Sequence, residues 1–206
     1  MTRYSRKQIF FWLLITVLIA ACSTTQIKSA WKDPAYLEHP NRVMVLSVTK
    51  SPLNRRVFED EFVQQLKARG TDAIASYSVL PDSKEEDQAR IANAVKEQRA
   101  DAVLITRLVS KKTVKVQVPG AVYYPPRYYG KWRDYYSYGY QAVYTPGYVT
   151  EDEYAIMETN LYDARTDNLI WAATSETVVN GSGQNRIKSY IGIMVNTMVE
   201  QNVLNR

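Results

Sequence analysis

Leu161-Tyr162-Asp163-Ala164-Arg165-Thr166-Asp167-Asn168-Leu169-Ile170-Trp171 joins two apolar runs through a turn-rich connector. Two strand-like runs, 153–163 and 169–179, meet across the connector 164–168, whose Asp, Thr and Asn residues bend a chain by bonding their own backbone. The runs therefore pair as an antiparallel hairpin. Leu169, Trp171 and Ala173 fall on one face at period two, which makes Trp171 a core ring rather than a ligand platform.

Downstream, Ile187, Tyr190, Ile191, Met194, Val195 and Met198 recur at helical spacing as far as a final turn near Leu204, so a last helix packs on the sheet. Upstream, 43–49 is a β-branched apolar run of the kind found in strands covered on both faces. Ser51 and Pro52 then supply an N-cap and a first-turn proline, and Gly70 a C-cap. Between them Phe58, Phe62 and Leu66, with Val57 and Val63 beside them, make a core-facing helix. Its Glu59-Asp60-Glu61 triplet reads as a solvated face, because three consecutive positions point in three directions.

Residues 72–77 form a short second strand. Ser83 and Glu86 fit a capping box for a helix over 84–99 with Ala92, Val95 and Ile91 inward. Residues 102–106 begin a further core strand. Val114, Val116 and Val118 then alternate with Lys115 and Gln117, a strand leaving the core as a half-wet ribbon.

The stretch 119–150 differs in composition from everything around it. Ten of the chain's 16 tyrosines lie there, together with Trp132, four prolines and four glycines. The Pro and Gly content predicts a long loop with no regular element. A loop beyond about 15 residues is functional or disordered. The functional reading makes Tyr123, Tyr124, Tyr128, Tyr129, Trp132, Tyr135, Tyr136, Tyr138 and Tyr140 a partner-binding surface, since tyrosine combines large contact area with little rotamer entropy. The plain alternative is a weakly folded insertion.

At the amino terminus, Arg3, Arg6 and Lys7 precede an apolar stretch of 13 residues, 9–21, that ends Leu18-Ile19-Ala20-Ala21 before Cys22, the one cysteine. Thirteen residues are too few to cross a bilayer core, which takes about 20. The order of charge, short core, small residues and cysteine is that of a cleaved leader with a lipobox; the plain alternative is a buried thiol in a signal anchor. Residues 1–22 resemble bacterial lipoprotein precursors. The resemblance implies removal of residues 1–21, a diacylglycerol thioether on Cys22 and acylation, palmitate included, of its new amino group. More than one acyl chain gives firm membrane attachment. Ser23, where inner-membrane retention would place Asp, implies sorting to the outer membrane. Residues 23–41 are polar and carry Pro34 and Pro40, and read as a tether spanning about 25 Å. Trp31 either stays with the tether or packs onto the domain.

After the leader, 185 residues remain, enough for one domain with a real core. The formal charge of +5 includes three leader cations, which leaves 23 basic and 21 acidic side chains and a poor case for nucleic acid. The predicted fold is α/β (α+β), a single mixed-sheet domain over 42–206 in the order β-α-β-α-β-(Tyr-rich insert)-β-β-α. The hairpin phrase, the strand at Val43 followed by a helix, and Ala100-Asp101-Ala102-Val103-Leu104-Ile105 are similar to the small α/β domain of the curli-secretion lipoprotein and the TolB amino-terminal domain. They are closer still to uncharacterised outer-membrane lipoproteins sharing this hairpin. That resemblance implies a fold and an envelope role but transfers no catalytic residue, and the tyrosine insert departs from the curli-secretion protein, so pore formation is not implied.

Little chemistry can be assembled from these residues. His39 is the single histidine, so neither a histidine triad nor a multi-histidine metal site is available. Asp163 and Asp167 flank a turn and read as backbone-bonding groups rather than a glycosidase pair. Gly181-Ser182-Gly183 lacks the lysine and spacing of a P-loop. We expect no enzyme, no cofactor and no metal, but a lipid-anchored protein on the periplasmic face of the outer membrane that binds another envelope protein. Glycan or peptidoglycan binding through the same tyrosines is the alternative.

Overall fold

The computed structural model describes residues 25–80, 88–118, 131, 133, 134, 136, 137, 140, 147–179 and 183–205. Six strands, β1 (Thr25–Lys32), β2 (Arg42–Val48), β3 (Asp72–Ala75), β4 (Ala102–Val118), β5 (Tyr148–Asp163) and β6 (Leu169–Val178), form one open mixed sheet in the order β1-β6-β5-β4-β2-β3. β2 runs parallel to β3 and β4, while β4, β5, β6 and β1 are antiparallel in turn. The helices are α1 (Pro52–Ala68), α2 (Gln88–Glu97) and α3 (Gly183–Glu200). The expected order recurs with one strand added in front.

α1 starts as its sequence predicts: the Ser51 side chain accepts from the Asn54 amide, Pro52 opens the helix, and Gly70 takes a left-handed φ of 81° just past its end. α1 and α3 cover one face of the sheet. There Phe62, Leu66, Tyr190, Met194 and Met198 pack on Val43, Val45, Leu104, Leu161 and Trp171. Trp171 is fully buried, as the hairpin phase requires, and its indole Nε1 donates to Gln201 Oε1 at 2.6 Å. α2 covers part of the opposite face with Ala94 and Val95 against Met44. Ala92, expected inward, is exposed, and Ala94, three positions after the inward Ile91, takes its place. The capping box at Ser83 lies outside the described residues.

Three further expectations are corrected. Part of the supposed tether, Thr25–Lys32, is an edge strand, and Ile27, Ala30 and Tyr36 pack against the main core. A register shift between Ile27 and Ser29 puts the inward residues three positions apart, which hides the period-two signal a strand normally gives. Trp31 remains 48% exposed. Glu59, expected on a solvated face, is fully buried. Within the tyrosine-rich segment, Arg133, Asp134, Tyr136, Ser137 and Tyr140 adopt helical backbone where no regular element is expected.

Candidate functional site

Two long strands, β4 and β5, flank the tyrosine-rich segment in sequence. Beyond the Val48–Arg107 pair β4 has left β2, and beyond Tyr154–Val178 only the Val179 amide, which donates to the Glu153 carbonyl at 2.7 Å, still ties β5 to the chain leaving β6. Residues 113–118 and 148–153 therefore pair with each other as a two-stranded arm about 20 Å long. Both its faces are wet: Val116, Tyr148 and Val149 are exposed, and Lys115 and Glu151 pair across it at 3.0 Å. The last pair, Val118 with Tyr148, brings the two ends of the insert together. Tyr136 and Tyr140 are exposed, with ring centroids 6.3 Å apart. The other proposed partner-binding residues, Tyr123, Tyr124, Tyr128, Tyr129, Trp132, Tyr135 and Tyr138, lie outside the described residues, as does Cys22.

At the root of the arm, where β2 and β6 end, β4 and β5 run on into the arm, and α1 and α3 begin, a cleft of about 280 Å³ opens. Its floor is apolar: Phe58, Met157, Ile187 and the ring of Tyr190. Tyr190 is held edge-on by Phe58 and Phe62, and its hydroxyl bonds to the hydroxyls of Thr106, at 3.0 Å, and Thr159. Burial raises the Tyr190 pKa against those two bonds, so the hydroxyl stays neutral. The cleft is lined by Arg107, Lys111 and Arg186 and, among the described residues, by no acidic side chain. Arg107 is engaged by Glu158 at 2.6 Å, whereas Nη1 of Arg186 is buried without a hydrogen-bond partner among the described residues. Two helix amino termini, each with partial positive charge, border the same space.

The other polar clusters hold the fold. The Glu59 carboxylate accepts from the Ser47 amide at 3.0 Å, the Tyr77 amide at 2.9 Å, Ser76 Oγ at 2.9 Å and Arg55 Nε at 3.1 Å. It satisfies backbone donors left over where β2 and β3 end, a need that no linear pattern displays. Asp163 accepts from the amides of Arg165 and Thr166 at 2.8 and 3.0 Å and from the Arg165 guanidinium at 3.1 Å. Burial works to raise its pKa, but these bonds outweigh it and hold the carboxyl below the ordinary aspartate value. The turn-bonding reading of Asp163 therefore stands. His39 lies with Nδ1 3.3 Å from the Val203 carbonyl oxygen. No group of three His, Cys, Asp or Glu side chains suited to a metal occurs among the described residues.

Lys111, Arg186 and Glu59 are thus the residues that reading along the chain missed. Only Arg186 left a signal there, since it stands one helical repeat before Tyr190 on the inward face of α3.

No protein-family model matches the chain, and no characterised protein matches it in sequence. Among solved structures, it is similar to the PelC dodecamer from Paraburkholderia phytofirmans, with 14% identity, a TM-score of 0.47, and 88% of this chain and 99% of that one covered. It is also similar to lipoprotein GNA1162 from Neisseria meningitidis, with 15% identity, a TM-score of 0.40, and 79% and 97% covered. At TM-scores below 0.5 these likenesses leave the function to the residues of this chain.

Proposed function

We propose that this protein is a lipoprotein anchored through Cys22 to the periplasmic face of the outer membrane, where it works without catalysis by binding another envelope protein. The observation that carries this reading is the arm. Residues 113–118 and 148–153 spend backbone pairing on a ribbon that adds nothing to the core, and the segment they bracket in sequence holds the chain's densest run of phenol rings. An isolated two-stranded ribbon is marginally stable in water, so its extension fits display of a contact surface better than support of the sheet. Exposed rings such as Tyr136 and Tyr140 suit a protein surface through area and hydroxyl bonding.

The test is deletion of residues 121–146 with a short Gly/Ser turn in their place, followed by in vivo crosslinking, recovery of partners and thermal unfolding. We expect capture of envelope protein to be lost with the melting temperature unchanged or slightly raised, because loop closure costs little more for long loops than for short ones. Undiminished capture moves the binding surface to the α/β body. Loss of the fold makes the insert part of the core. Retention on insoluble wall material by the intact protein alone supports glycan binding instead.

A further inference from the structure

The amino end of β1, the mouth of the cleft and the root of the arm all lie at one end of the sheet. β1 is antiparallel to β6 and starts at Thr25, whose hydroxyl meets that of Thr177 at 2.9 Å. Thr177 lines the cleft. Cys22 is three residues before Thr25, so the chain between them reaches at most about 11 Å. An acylated Cys22 therefore holds this end of the domain, rather than the opposite one, against its membrane. The surface there has the matching chemistry. Val48, Leu53, Leu108 and Val109 are exposed apolar side chains at this end, and Lys50 and Lys111 are exposed cations beside them.

We infer that the cleft receives an anionic phospholipid from the leaflet that holds the anchor. The inference rests on the acylated Cys22 of the proposed function. The phosphate sits between Arg186, whose buried Nη1 has no hydrogen-bond partner among the described residues, and Lys111, within the positive field of the two helix amino termini. The acyl chain lies on Phe58, Met157 and Ile187. Among the described residues no carboxylate lines the cleft to oppose the headgroup, and Glu158 is taken by Arg107. The domain then sits on the leaflet in one orientation, so a single lipid contact aims the arm relative to the membrane plane.

The experiment uses the full lipidated protein reconstituted in vesicles of phosphatidylethanolamine and phosphatidylglycerol that contain a phospholipid with a photoactivatable acyl chain. Crosslinks are mapped by mass spectrometry, and the acyl state of Cys22 is read on the same sample. We expect crosslinks at Met157, Ile187 and Leu108. They should fall about tenfold or more in the Lys111→Gln/Arg186→Gln variant, the loss expected when two basic side chains stop contributing at an anionic surface. They should fall similarly when phosphatidylcholine replaces the anionic lipid, an arm that needs no substitution. Lys111→Glu, on an exposed strand position, supplies a second variant should the double one unfold. An acylated, membrane-bound protein without cleft crosslinks overturns the inference and leaves the anchor standing. Crosslinks indifferent to lipid charge and to the variants also overturn it. An unacylated Cys22 overturns the anchor and the inference together.

Discussion

The hydroxyls of Thr25 and Thr177 meet at 2.9 Å although 152 positions separate them, and both residues are buried. This contact ties the first described residue of the chain to the last strand of the sheet. It makes residues 25–32 part of the domain instead of a leash.

Truncation should expose that dependence. A chain beginning at residue 33 lacks β1 and bares the edge of β6, together with the core contacts of Ile27 and Ala30. We expect urea unfolding to register a loss of about 2 kcal/mol or more, the scale of one buried aliphatic side chain with its neighbours, and light scattering to rise. A chain beginning at residue 24 should unfold like the longer form. Equal midpoints for the two truncations would mean that β1 contributes nothing.

Glu59→Ala should be among the most damaging single substitutions. It removes the acceptor of Arg55 Nε, itself on a side chain 16% exposed, and leaves the amides of Ser47 and Tyr77 without theirs at a fully buried position. Breaking a buried pair from one side costs about 3 to 5 kcal/mol. Replacing the adjacent Asp60, which reaches outward to the Tyr77 hydroxyl at 2.7 Å, should cost about 1 kcal/mol or less. Chemical denaturation of the two variants side by side checks the ordering.

Trp171→Ala removes a fully buried ring and the bond from its Nε1 to Gln201. The expected loss is about 3 to 5 kcal/mol, read as a shift in the urea midpoint. Trp171→Phe keeps most of the packing but leaves Gln201 Oε1 without its donor, so it should cost distinctly less than the alanine variant.

The hairpin turn supplies a pH dependence with a defined sign. The folded pKa of Asp163 is lowered, so its stabilising bonds are fully present above the ordinary aspartate value of about 3.9 and are lost as pH falls through the lower folded value. Asp163→Asn should therefore be less stable than wild type at neutral pH by about 1 to 3 kcal/mol. The difference should shrink as the pH is brought below 4. A gap that stays constant down to pH 2 would assign the effect to packing rather than to the carboxylate charge.

Where burial followed a regular period, the linear chain was enough. The period-two run to Trp171, the four-residue spacing through Phe58, Phe62 and Leu66, and the helical repeat from Ile187 to Met198 each named a face, and Ser51-Pro52 and Gly70 named the ends of α1 before any contact was known. Tertiary structure alone decided three other matters. A bulge shifted the inward residues of β1 out of phase, so pairing with the free edge of β6, a property of another strand, made 25–32 a strand. Backbone amides stranded where β2 and β3 end turned Glu59 inward, although its neighbours Asp60 and Glu61 have the same local sequence character. The cleft draws Lys111 from β4, Thr177 from β6 and Arg186 from α3. Periodicity reports how each segment meets its own core face; it carries no information about which distant backbone groups need a partner, or which side chains converge where the elements end.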